Sequence, residues 1–182
     1  MNDTFEVVVK HFETAEVQYQ ADSGTGMVRA VLPTGVGVWH AHVRVEEDLM
    51  EVVIYHPVRI PEEKRRDLAE LLARVGPWNN LVRTEMEFET GQLMTRARMM
   101  FDEAAGLGSE EVHSPVIATL LTLEALHPAV MAILYQGKTP KEAADKLRED
   151  ETDLPHADRF NLPIPEGGLP CPELPEDGLR NN

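Results

Sequence analysis

The chain has 182 residues, 17 Lys and Arg against 32 Asp and Glu, a formal net charge of −15 and a single cysteine. That length suffices for one domain with its own core, plus a tail. The acidic balance argues against a broad phosphate-binding surface, and so against a nucleic-acid or anionic-membrane role. One cysteine, Cys171, excludes an intrachain disulfide and a thiolate metal cluster.

The N-terminus has no basic segment followed by an apolar run, so no leader is expected. Phe5, Val8, Val9 and Phe12 repeat at helical spacing and predict a first helix, with Asp3 as its cap. Val17 and Tyr19 suggest a short extended piece. Residues 22–26 read as a loop because Gly24 and Gly26 permit unusual backbone angles.

Three strands follow, at residues 27–32, 36–46 and 49–56. Trp39, Ala41, Val43 and Val45 alternate with His40, His42, Arg44 and Glu46. A two-residue turn at Glu47-Asp48 pairs residues whose numbers sum to 95. Val45 then faces Met50, Val43 faces Val52, and Arg44 faces Glu51 as an attractive pair. Pro61, Glu62 and Glu63 open a second helix carrying Leu68, Leu71, Leu72 and Val75, and Gly76-Pro77 stops it. A second hairpin is expected over residues 81–89 and 92–101, with Leu93 and Met99 on its core side.

The next helix starts near Ser109 or Ser114. Its main run is expected from Pro115, with Pro128 breaking or kinking it near Leu126. The run 116–135 is long enough for a bilayer, but Glu124, His127 and Pro128 in its middle favour a buried amphipathic helix. A cytoplasmic location is expected. Thr139-Pro140-Lys141-Glu142 is a capping box opening a last, short helix. From residue 151 the chain turns acidic and proline-rich with no apolar period, so residues 151–182 are expected to be an extended or disordered tail beside a domain at 1–150.

Few residues carry chemistry. His40 and His42 sit at i and i+2, on one strand face, and could reach one metal ion. A third ligand is missing, because Glu51 lies nearer Arg44 and His56 falls on the other face. Shielded or solvated strand histidines are the expected state, and no metal or other cofactor is assigned. Cys171, between two prolines in the tail, has nothing rigid to make it a nucleophile. Glu46-Glu47-Asp48 and Glu62-Glu63 are explained by a hairpin tip and a helix N-terminus. The glycine pairs near residues 24 and 35 lack the lysine of a phosphate loop. Lys64-Arg65-Arg66 reads as a solvated helix flank.

The resulting class is α+β: an antiparallel sheet of about five strands with helices on one face, in the order α-β-β-β-α-β-β-α. That order is similar to the type III secretion chaperone-like fold. Within it, residues 36–101 resemble the YbjN family of putative bacterial sensory transduction regulators. The resemblance rests on Gly37-Val38-Trp39, the acidic tip at 46–48 and His56-Pro57 leading to Ile60-Pro61-Glu62-Glu63. Asn79-Asn80, Glu87-Phe88-Glu89, Gly91 and Arg96-Ala97-Arg98 complete it. It covers roughly residues 1–149 and excludes the tail. The family implies dimers and no catalytic residues.

With no catalytic constellation, the expected function is a non-enzymatic protein-binding or chaperone-like module acting as a homodimer. Its partner is another protein, contacted through Val53 and Tyr55 among others. The dimer interface is expected at Leu121, Val130, Ile133 and Leu134, which need covering by a second surface. The alternatives are a signalling adaptor whose acidic surface or tail engages a basic partner, and an enzyme with an unrecognised site.

Overall fold

The computed structural model describes residues 3–76, 82–101 and 107–152. The Asp3 side chain, Asn79-Asn80, Cys171 and the tail from residue 153 lie outside the described residues. The expected start of the tail moves slightly, because Glu151 and Thr152 still belong to a helix.

Helix α1 (Asp3–Thr14) buries Phe5, Val8 and Phe12, as their spacing predicts. Four strands follow: β1 (Gln18–Asp22), β2 (Met27–Pro33), β3 (Val38–Glu46) and β4 (Leu49–Tyr55). The short extended piece after α1 is a full strand, pairing Gln18 with Val31 and Asp22 with Met27. It raises the described sheet from the expected five strands to six, all antiparallel, in the order β1-β2-β3-β4-β6-β5. The remaining two are β5 (Val82–Glu87) and β6 (Gln92–Met100).

The β3–β4 register agrees with the two-residue turn: Val45 pairs Met50, Val43 pairs Val52, and Arg44 pairs Glu51. Along β3 the odd residues are buried, while the even ones are exposed or half-buried. Leu93, Thr95 and Ala97 of β6 are likewise buried, which sets the odd side as the core side.

Between β4 and β5 a 3₁₀ turn at Glu62–Lys64 leads into α2 (Arg65–Val75), which buries Leu68 and Leu71. Pro61 precedes the turn instead of opening an α-helix. Gly76 takes a φ of 60° at the end of α2.

The largest difference from expectation is α3 (Ser109–Tyr135), one continuous α-helix of 27 residues containing both Pro115 and Pro128. An isolated helix loses roughly 3 kcal/mol at an internal proline. Here ten side chains are buried, among them Val112, Val116, Leu123, Leu126, Val130 and Ile133, and that packing outweighs the local cost. By length and composition α3 could span a membrane, but these ten residues make it the core helix of the domain. Helix α4 (Pro140–Thr152) packs on α2 and α3 and opens with the expected capping box. The Thr139 N–H donates to Glu142 Oε2 (2.9 Å) and the Glu142 N–H to Thr139 Oγ1 (3.3 Å).

The helices cover the face of the sheet that carries Ala30, Trp39, Val43, Val52, Ile54 and Leu93, and together they enclose one core. The domain thus has two layers, one of strands and one of helices.

Candidate functional site: the open face of the sheet

Strand alternation sends every second side chain away from the helices. Cross-strand pairing sets these outward residues in rows. One row runs Gln18, Val31, His40, Tyr55, Met94, Glu85, and the next Gln20, Arg29, His42, Val53, Arg96, Arg83. A third aligns Asp22, Met27, Arg44, Glu51 and Arg98. The five arginines of this face, Arg29, Arg44, Arg83, Arg96 and Arg98, are matched by Asp22, Glu46, Glu51, Glu85 and Glu87. The face is therefore formally neutral on a chain of net charge −15, and its cations are all arginine.

Glu51 is the hub. Its Oε1 accepts from Arg96 Nη1 at 2.7 Å and from Arg98 Nε at 2.6 Å, and Arg96 Nε reaches Glu85 Oε2 at 3.3 Å. Burial pushes the Glu51 carboxyl up, but hydrogen bonds from Arg98 and Arg96 outweigh it and hold it below its ordinary value. The expected Arg44–Glu51 ion pair is not formed, although the two residues are paired in register. Strand β6 lies on the other side of β4 and offers two guanidinium groups to Glu51. Arg44 turns instead to Glu46, at 2.7 Å.

His40 and His42 share this face, as their spacing requires. Their cross-strand neighbours are Val31, Tyr55, Arg29 and Val53, none of them a carboxylate. Among the described residues no group of three or more His, Cys, Asp or Glu is placed to hold a metal ion. The His42 ring packs edge-on against Tyr55, with centroids 4.9 Å apart. Burial, then the Arg29 charge and His40, lower its pKa.

Two expected contact residues behave differently. Tyr55 is half-buried and reachable, but Val53 is only 5% exposed. No helix covers it. In register it stands between His42 of β3 and Arg96 of β6. Of the four residues expected at a dimer interface, Val130 and Ile133 are fully buried inside the chain, against the sheet and neighbouring helices. Leu134 is half-buried and packs on the same core. Leu121 alone of the four lies on the outward side of α3.

A second polar cluster was not foreseen from the sequence. His56, just past β4, is 2% exposed and stacks on His127 of α3, with ring centroids 5.1 Å apart. Trp39 meets both rings edge-on. His56 Nε2 lies 3.0 Å from His127 Nδ1, and His56 Nδ1 lies 3.0 Å from the Val58 oxygen and 3.1 Å from its nitrogen. When both rings are neutral, one proton bridges them, its side fixed by whether Nδ1 donates to or accepts from Val58. Burial lowers the pKa of both histidines. His127 repels a second charge on His56, while Glu124 partly offsets the shift at His127. Glu124 Oε1 is buried without a hydrogen-bond partner. The available signal was a histidine and a glutamate three apart in an apolar helix, since buried polar groups demand partners.

No family model, no curated protein and no solved structure matches the chain.

Proposed function

We propose that the chain is a non-enzymatic protein-binding module, chaperone-like or regulatory in kind, which works as a homodimer and receives its partner on the open face of the sheet. One observation carries this reading: a broad, neutral face of Arg, Met, Tyr, His and Val, free of lysine, on an otherwise acidic chain. Arginine, methionine and aromatic residues are enriched in protein interfaces and lysine is depleted. The ion pairs around Glu51 pre-order the face, which reduces the entropy lost on binding. A type III secretion chaperone-like fold and YbjN kinship belong to the same proposal. The element order supports them, with β1 and α4 as additions.

The test is a photo-crosslinking amino acid placed at Tyr55, with a control at the exposed Glu70 of α2. In native cell extract the Tyr55 position should give an adduct of discrete mass, and the Glu70 position none. Equal labelling from both sites, or none from either, would count against the sheet face. Stoichiometric turnover of a substrate abolished by changing one polar residue would overturn the non-enzymatic reading.

A further inference from the structure

The ring nitrogens of His56 and His127 set how many protons this buried contact can hold. His56 Nε2 and His127 Nδ1 face each other at 3.0 Å, so one hydrogen bridges them. His56 Nδ1 lies within reach of both polar groups of Val58, the oxygen at 3.0 Å and the N–H at 3.1 Å. The neutral pair therefore has two bridged arrangements, with Nδ1 either accepting from the N–H or donating to the oxygen. Adding one proton leaves a single arrangement: a hydrogen on His56 Nδ1, one in the bridge and one on His127 Nε2. Nδ1 then donates to the Val58 oxygen, and the bridge survives. A second proton finds no lone pair outside the bridge. It sets Nε2–H against Nδ1–H, because both nitrogens of an imidazolium are donors.

We infer that this pair is a latch between α3 and the end of β4, which accepts one proton while shut and is opened by the second. The latch is independent of the partner face and of dimerisation. The first charge belongs on His127, which is half-buried, whereas His56 is 2% exposed. Glu124, one turn earlier on α3, acts on the His127 ring as an opposite charge, and its Oε1 is buried without a hydrogen-bond partner. A cation on His127 gives that carboxylate the counter-charge it lacks beside a neutral ring. The other surroundings offer a second cation nothing. Trp39 of β3 meets both rings edge-on, Gln92 of β6 donates to the His56 and Leu93 oxygens, and Val58 presents only its backbone. Two buried cations that touch, with one carboxylate between them, are not compensated. The latch also joins points where opening can begin. The His56 N–H donates to the Leu93 oxygen at 2.9 Å, and His127 precedes Pro128, which adds no N–H to the α3 ladder.

The test is a pH titration of full-length protein with isotope-labelled histidine, followed by NMR at the ring nitrogens and backbone amides. The two rings should together take up one proton while the Overhauser contacts between them persist, with hydrogen on His56 Nδ1 in that state. Uptake of the second should coincide with loss of those contacts and faster amide exchange at residues 56–60 and 124–130, while β3 stays protected. Glu124→Gln keeps the shape and removes the charge, so it should move the first step to lower pH. His127→Gln keeps a donor and an acceptor for His56 without a second titrating ring, so residues 56–60 should stay closed where the parent opens. Two protons held with the ring contacts intact would overturn the latch. So would opening at the first proton, or β3 losing protection in the same step. A first step unmoved by Glu124→Gln would overturn the placement of its charge on His127.

Discussion

Gly91 and Gly137 offer a matched pair of substitutions that isolates one close contact. Both have a left-handed backbone, with φ of 70° and 66°. Any L side chain there costs roughly 1–2 kcal/mol. They differ in surroundings. A Cβ on Gly137 meets nothing within 4 Å, whereas a Cβ on Gly91 would collide with the backbone oxygen of Ile60. That oxygen cannot easily retreat. Ile60 is 1% exposed, its N–H donates to the Gly91 oxygen at 2.8 Å, and its own oxygen accepts from Arg65 Nε at 3.3 Å. Relieving the collision would break the Ile60–Gly91 bond, and a buried group left unsatisfied costs about 1–3 kcal/mol. Gly91→Ala should therefore destabilise by about 2–5 kcal/mol and Gly137→Ala by about 1–2 kcal/mol. The entropy that alanine removes from the unfolded chain is common to both and cancels in the comparison. With a urea m-value of about 2 kcal/mol per molar, the Gly91 variant should unfold at a midpoint lower than the Gly137 variant by roughly 0.5–1.5 M. Equal midpoints would refute the argument that the β5–β6 turn is clamped against the entrance to α2.

Two further outcomes follow from charge. His56 and His127 have pKa values held below their unfolded value of 6.5, chiefly by burial, so as the pH falls through 6.5 the unfolded chain takes up protons before the folded one does. Stability should be fully present above that pH and decline below it; urea midpoints at pH 7.5 and 5.5 should differ in that sense, and His56→Gln should shrink the difference, whereas a midpoint that rises on acidification would contradict the burial argument. Arg96→Met should change stability by less than about 1 kcal/mol, since Glu51 keeps its bond from Arg98, yet raise the Glu51 carboxyl toward its ordinary pKa in an NMR titration. A Glu51 titration left unmoved would mean that Arg98 alone holds it.

What the sequence made legible was local. The β3–β4 register follows from a two-residue turn and strict alternation, and the capping box at Thr139 follows from four consecutive residues. What escaped was set by tertiary placement. The proline rule that allowed a break at Pro128 holds for a helix in water, and the break is not made where ten side chains of α3 are buried. Val130 and Ile133 were assigned outward because chain order does not reveal which side of an apolar helix meets the sheet. Val53 appeared exposed because β6, which supplies Arg96, lies beside β4 only through the crossover from α2. The His56–His127 contact joins residues 71 apart, and the local pattern of Glu124 and His127 in an apolar helix marks only one end of it.

The proposed dimer and the proposed partner face bear on each other. The arginine-bearing face is the outward side of the sheet. Two copies joined through any other surface would leave both sheet faces uncovered. One dimer would then present two identical neutral faces. A partner with two suitable segments could engage both faces only if its linker were long enough to span them. A partner with one segment would bind each face independently, with no gain from dimerisation. In sedimentation equilibrium the chain should have twice its 20.4 kDa mass at tens of micromolar, and a monomer there would overturn the dimer reading. Binding stoichiometry and affinity compared above and below the concentration at which the dimer forms would separate the two kinds of partner: equal affinity per chain means one segment per face, and a loss of affinity on dilution to monomer means bridging.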